Sequence, residues 1–142
     1  MLFRNCAGGI VFKGEQVFIL QNEKQEWVLP KGVIREGSAK DVALKRVFEE
    51  SGIQAEIIAP AGETSYEFYS YSRHQPVCNR ITWFIMETRQ DDYKVNTEEG
   101  FIMGGFYPIN EAVEKITYSQ DKSLVRISYR KSQNLSGMEK LA

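Results

Sequence analysis

The spacing of apolar and polar positions changes several times along this chain, and each change marks an element. From Asn5 to Leu20 two β-rich runs, Cys6-Ala-Gly-Gly-Ile-Val-Phe12 and Val17-Phe-Ile-Leu20, flank the polar stretch Lys13-Gly-Glu-Gln16. That arrangement predicts a hairpin. Glu26-Trp-Val-Leu29 predicts a short strand stopped by Pro30, and Lys31 to Gly37 reads as a loop. A helix is expected from Ser38, whose hydroxyl can cap the first turn with Asp41 three residues on, to Gly52, a left-handed stop. On a 100° wheel Leu44, Val47, Phe48 and Ser51 share a core-facing side, while Arg46, Glu49 and Glu50 lie on a polar side beside Val42.

Beyond the helix, Ile53 to Ile58 predicts a strand, and Thr64 to Tyr71 with Val77 to Thr88 a long hairpin. Phe101 to Tyr107 predicts a further short strand. Two helices are expected to follow, Pro108 to Ile116 and Ser119 to about Ser132, the second burying Leu124, Ile127 and Val125. Residues 1–132 then form one α+β domain, and 133–142 a frayed tail. No repeat, linker or low-complexity segment interrupts the chain.

Composition narrows the function classes. With 142 residues, 42% of them apolar, the chain is long enough for one well-filled core. Eighteen Lys and Arg balance nineteen Asp and Glu, a net charge of -1, which gives no footprint for long nucleic acid and no polybasic membrane anchor. No apolar run approaches the roughly 20 residues that span a bilayer, and Met1 to Arg4 passes directly into strand-like sequence. A cytoplasmic protein with a small-molecule partner is expected, as a monomer or homodimer. Two cysteines without CxxC spacing and a single histidine, His74, make a zinc site, a disulfide scaffold or a Ser/Cys triad poor fits.

Chemistry concentrates between Leu29 and Ile53. There a Gly-bounded loop feeds a capped helix ending in Glu49-Glu50, adjacent carboxylates close enough to share one hard cation such as Mg²⁺ or Mn²⁺. The plainer reading is a solvated helical face carrying an Arg46–Glu50 pair worth about 0.3–0.5 kcal/mol.

This segment resembles the Nudix box, G-x5-E-x7-R-E-U-x-E-E-x-G-U with U aliphatic. The flanks Trp27-Val-Leu-Pro-Lys-Gly32 and Cys6-Ala-Gly-Gly-Ile-Val11 are also similar to that family, and the likeness runs from about Arg4 to Ile127. It implies a Nudix-type α/β/α sandwich with a mixed central sheet, and divalent-metal-dependent hydrolysis of a pyrophosphate linkage in a nucleoside or dinucleoside polyphosphate. The metal would neutralise charge on the phosphoryl oxygens while the protein supplies position. Glu49 and Glu50 would be metal ligands, and Lys31 and Gly32 would stand at the mouth of the site.

Two box glutamates are absent. Counting back from Gly52, Arg46 stands where the family has Glu and Lys45 where it has Arg. The loop is one residue short, and the missing residue, between Gly37 and Ser38, is the earlier Glu. One carboxylate has thereby become a guanidinium. Three outcomes remain open: Arg46 replaces the metal and leaves a nucleotide-binding sensor or regulatory module; a metal persists with help from Glu36, Glu98 or Glu99 and turnover is reduced; or Arg46 contacts substrate. Tyr66, Phe68, Tyr69 and Tyr71 precede Arg80, Trp83 and Phe84, so Tyr66 is a candidate to stack on a base and Arg80 to bind phosphate. Alternating aromatics are equally ordinary cross-strand core pairs. Their order, with Glu98-Glu99, Pro108 and Ala112, resembles the subgroup that includes diadenosine polyphosphate hydrolases. Tyr118 is expected to close the core or form a subunit contact.

Overall fold

The computed structural model describes the backbone of residues 1–141 and the side chains of residues 1–136. Strand β1 (Leu2–Lys13) turns at Gly14-Glu15 into β2 (Gln16–Asn22), pairing Lys13 with Gln16. β3 (Trp27–Val28) and β4 (Lys31–Val33) precede helix α1 (Ala39–Ser51). The chain continues through β5 (Glu56–Ser70), β6 (Gln75–Glu87), a 3-10 turn at Thr97–Glu99 and β7 (Phe101–Pro108), and closes with α2 (Ile109–Lys115) and α3 (Ser119–Leu141).

The sheet is mixed, in the order β3-β2-β1-β6-β5, with β4 added to β1 and β7 to β2. Its spine is the parallel pair of β1 and β6, in register from Leu2 with Val77 to Phe12 with Glu87. Period-two alternation gives the central strands β1, β2 and β6 two buried faces. Cys6, Ile10, Phe12, Val17, Ile19, Ile81, Trp83 and Ile85 meet Ala112, Val113, Leu124 and Val125 of α2 and α3. Ala7, Val11, Phe18, Leu20, Phe84 and Met86 meet Ala43 and Val47 of α1 on the opposite face. The expected α+β sandwich is therefore the observed one. Among the described residues no helix is long and apolar enough to cross a membrane.

Several local expectations are corrected. Lys31 to Val33 is a strand, because Cys6 to Gly8 offers it an antiparallel partner. Ile53 to Ile58 and Thr64 to Tyr71 are not separate strands: one edge strand, β5, runs from Glu56 to Ser70. It absorbs Pro60 and Gly62 (φ 110°) through register shifts next to them. On α1, Phe48 is exposed and Glu50 is buried at 2% exposure, the reverse of the wheel assignment. On α3, Leu124 and Val125 are buried as expected, together with Asp121, Ser128 and Ser132, whereas Ile127 is 60% exposed. That helix also continues past Ser132 through the expected tail, where the side chains of 137–142 lie outside the described residues.

Candidate functional site

Helix α1 is fixed at both ends by residues legible in the sequence. The Ser38 hydroxyl accepts the Asp41 amide at 3.1 Å, and Gly52, at φ 71°, donates its amide to the Phe48 carbonyl. The last carbonyls of the helix are taken up by the segment that follows β6. The Asn96 amide donates to the Glu50 carbonyl at 3.0 Å, and its side-chain amide to the Glu49 carbonyl at 2.9 Å. The Asn96 Oδ1 in turn accepts the Glu98 amide, capping the short turn that carries Glu99. One asparagine thus ties the carboxylate end of α1 to a second carboxylate more than forty residues on. Its signal was an Asn ahead of Thr-Glu-Glu-Gly, a cap pattern that sequence reading passed over.

The result is a compact charge cluster. Arg46 Nη1 donates to Glu49 Oε2 at 2.9 Å, while Nη2 donates to Glu50 Oε1 and Glu99 Oε2, each at 3.1 Å. Lys45 Nζ stands 3.7 Å from the other oxygen of Glu49. Two polar atoms of the cluster are buried and unpaired, Arg46 Nε and Glu50 Oε2. Burial pushes the Glu50 carboxyl up to about 7, against the pull of the Arg46 charge and the Lys31 backbone amide. Arg46 is buried as well, which works against its charge, but Glu50 and Glu99 outweigh that effect and hold its proton more tightly. The Arg46 stem lies against Gly32, where an added Cβ would come within 2.5 Å of Nε. Glycine at 32 is therefore a steric requirement of this arginine's position.

Beside the cluster opens a cavity of about 910 Å³ whose lining includes Lys31, Glu50, Tyr66, Glu99, Tyr118 and Asp121. Lys31 Nζ lies over the Tyr66 ring, 5.0 Å from its centroid, and the Tyr66 hydroxyl accepts from Asn79 at 2.7 Å. Tyr66 and Phe68 are stacked, with centroids 5.9 Å apart. Tyr118 donates to Glu26, which raises its own pKa to about 12 and lowers that of the carboxyl. Burial raises the Asp121 carboxyl. Glu26 and Asp121 were not singled out from sequence, since neither sits in a recognisable pattern.

Of the expected site residues, Arg46, Glu49, Glu50 and Glu99 meet directly, with Gly32 under the guanidinium and Lys31 and Tyr66 in the adjoining cavity. Two do not join them. The Arg80 guanidinium stacks on Phe3, 4.3 Å from the ring centroid, because its exposed register position on β6 faces β1. Glu98 points its side chain to solvent from the capped turn. Tyr118 is 47% exposed and reaches Glu26 at the cavity rim, so it does not close the core.

The donor set fits a divalent cation in its chemistry. It is all hard oxygen, its three carboxylates outnumber the Arg46 guanidinium and the Lys45 ammonium beside them, and Glu50 Oε2 is buried without a hydrogen-bond partner. Among the described residues no three acidic groups converge on one point, because Arg46 stands between them.

The chain is similar to known proteins in sequence and fold. A model of the NUDIX domain matches residues 2–126. Over 105 residues the chain is 28% identical to a Mycobacterium tuberculosis protein assigned as mutator protein MutT4. The match takes in 72% of this chain but spans only 40% of that protein's length. Among solved structures, the Caenorhabditis elegans Ap4A hydrolase in a binary complex superposes with a TM-score of 0.69 at 17% identity, covering 94% of this chain and 98% of that one. The NUDIX domain of Shewanella oneidensis NrtR complexed with ADP ribose gives 0.74 at 10% identity, covering 92% and 89%. The Escherichia coli dihydroneopterin triphosphate pyrophosphohydrolase gives 0.69 at 16%, covering 88% and 95%. Identities this low speak for the shared fold, and the domain match over most of the sequence settles the family: this chain belongs to the NUDIX domain family.

Proposed function

We propose that this domain is a divalent-metal-dependent pyrophosphohydrolase of a nucleoside or dinucleoside polyphosphate, working with a weakened box. The observation that carries this reading is Glu50: a buried carboxylate with one oxygen unpaired, beside Glu49 and Glu99 and opening on a cavity that also holds Lys31 and Tyr66. Solved Nudix proteins of this fold include an Ap4A hydrolase and a domain holding ADP ribose, both consistent with a ligand that contains a pyrophosphate.

Glu49, Glu50 and Glu99 would hold the Mg²⁺ or Mn²⁺, whose chemistry is to neutralise charge on the phosphoryl oxygens and orient water. The chain's own residues do the rest. Lys31 adds a fixed positive charge at the cavity wall near the phosphates, and Tyr66, held between Lys31 and Phe68, offers its ring edge to a base. The buried wall of Glu50 and the apolar layer beneath it keep bulk water from one side. Arg46 lowers the site's attraction for a dication, since ligand charge dominates the binding of hard cations.

Incubation with a panel of nucleoside and dinucleoside polyphosphates, with Mg²⁺ and separately Mn²⁺, tests the assignment. Release of phosphate or mononucleotide is expected for some member, abolished in the Glu49→Gln, Glu50→Gln double variant. No release above that variant would overturn it. A second reading, a nucleotide-binding sensor without hydrolysis, is favoured by the three bonds that Arg46 makes to the carboxylates. Calorimetric binding of a nucleotide by a protein that hydrolyses none of the panel is its signature.

A further inference from the structure

We infer that Arg46 is a tethered counter-ion that closes the carboxylate site until a nucleotide phosphate draws it away, so that nucleotide and divalent cation bind with positive cooperativity. This rests on the nucleotide reading above and adds an order and a coupling to it.

The geometry of Arg46 is that of a plug. Its two terminal nitrogens spend three charge-assisted bonds on Glu49, Glu50 and Glu99, so a cation arriving alone meets ligands already engaged by a positive group. A polyphosphate arriving alone finds Lys31 in the cavity wall but an Arg46 whose terminal nitrogens are already held by three carboxylates. Together the two ligands can exchange partners: the cation takes the carboxylates, and the planar guanidinium turns its fork to the phosphate, which it suits bidentately. Each exchange relieves what the resting arrangement leaves unpaired. Nε of Arg46 has no acceptor and Glu50 Oε2 has no donor, both buried. The arginine is also within reach of movement, since its side chain is 23% exposed, and Glu49 and Glu99 are 34% and 38% exposed at the rim, whereas Glu50 stays at 3%. Gly32 sets the resting pose, because any side chain there would collide with the Arg46 stem. Linkage makes the coupling reciprocal, so the nucleotide must tighten the cation by the factor that the cation tightens the nucleotide.

The full chain is titrated with Mn²⁺, free ion being followed by electron paramagnetic resonance, with and without saturating α,β-methylene ADP; a protein-free titration accounts for the ion held by the analogue in solution. In the wild type the analogue is expected to tighten Mn²⁺ about tenfold, within the roughly 5–150-fold range usual for coupled sites. Arg46→Gln should bind Mn²⁺ about tenfold more tightly than the wild type without any analogue, and the coupling should shrink by about the same factor, leaving only what direct cation–phosphate attraction supplies. Gly32→Ala, which keeps the charge but evicts the stem, should shift in the same direction and stands in if Arg46→Gln does not fold. The gate is overturned if neither variant binds Mn²⁺ more tightly than the wild type, or if the coupling is undiminished in Arg46→Gln. If the wild type binds the analogue without altering Mn²⁺ affinity, the gate alone fails. If it binds no analogue with or without Mn²⁺, the nucleotide reading fails and takes the gate with it.

Discussion

The two layers packed on the central sheet are built to different standards of completeness. Facing α2 and α3, the strands present large side chains, among them Ile10, Phe12, Ile81, Trp83 and Ile85, and the one indole N–H among them is satisfied by Thr64 at 2.8 Å. Facing α1, they present smaller ones at the point of closest approach. A Cβ on Gly9 would meet Val47 at 3.0 Å and the Met86 side chain at 2.7 Å, so glycine lets the helix settle close on β1. That approach drags the edge of α1 inward and buries Glu50 and the Arg46 stem with polar atoms unpaired, whereas the α3 layer leaves only the Ser128 hydroxyl so among the described residues. One layer is filled for stability, and the other accepts unpaired polar groups at the place where ligand atoms could pair with them.

The largest effect should come from breaking the filled layer. Trp83 is fully buried at the sheet's spine, and Trp83→Ala removes its volume and its hydrogen bond to Thr64. A loss of about 3–5 kcal/mol is expected in urea unfolding, enough to leave the domain barely folded. A loss under about 1 kcal/mol would mean that this layer is not where stability resides.

The α1 layer should instead show itself through pH. The folded Glu50 carboxyl, at about 7, stands above its ordinary value of 4.5, so between those values the folded chain keeps a proton that the unfolded chain has released. Stability therefore falls as pH rises through that window and levels off above it, by on the order of 3 kcal/mol. Asp121, raised by burial, adds in the same direction, while Glu26, lowered by Tyr118, acts below the window. Urea unfolding in chelator at pH 5 and pH 7.5 measures the slope, and Glu50→Gln should flatten most of it. An equal slope in that variant would place the unsatisfied charge elsewhere.

How far each layer was legible in the sequence follows from the same physics. Caps and periodicity are local, so Ser38, Gly52, the β1–β2 hairpin and the existence of α1 could be read directly. The pairing of Arg46 with Glu50 is also local, one helical turn apart. What failed was non-local. Lys31 to Val33 became a strand only because β1 lies beside it, and Pro60 and Gly62 read as a break because an edge strand's tolerance for bulges is invisible in one dimension. The wheel puts Glu50 on the polar side and cannot show its burial, because the close approach of α1 to β1 and the Asn96 segment tied to the helix end are both non-local. For the site, the family pattern pointed to Glu49 and Glu50, but only the tether from Asn96 distinguishes Glu99, which joins Arg46, from its neighbour Glu98, which does not.

The smallest expected effect probes the one unpaired buried hydroxyl that the filled layer shows among the described residues. Ser128 is 1% exposed, lies on the buried stripe of α3, and its hydroxyl has no partner among the described residues. Burying an unpaired hydroxyl costs on the order of 1–3 kcal/mol in proteins, partly recoverable when the group is removed without leaving a hole. Alanine is isosteric apart from that oxygen and is the better helix former by a few tenths of a kcal/mol. Ser128→Ala should therefore stabilise the domain by about 1 kcal/mol, read as a higher urea midpoint at unchanged slope. The corresponding removal in the other layer, taking away Arg46 and its unpaired Nε, has no such benefit, since it would leave three carboxylates facing one another. If Ser128→Ala lowers the midpoint instead, the hydroxyl is bonded in solution, and the α3 layer is more fully satisfied than its packing alone indicates.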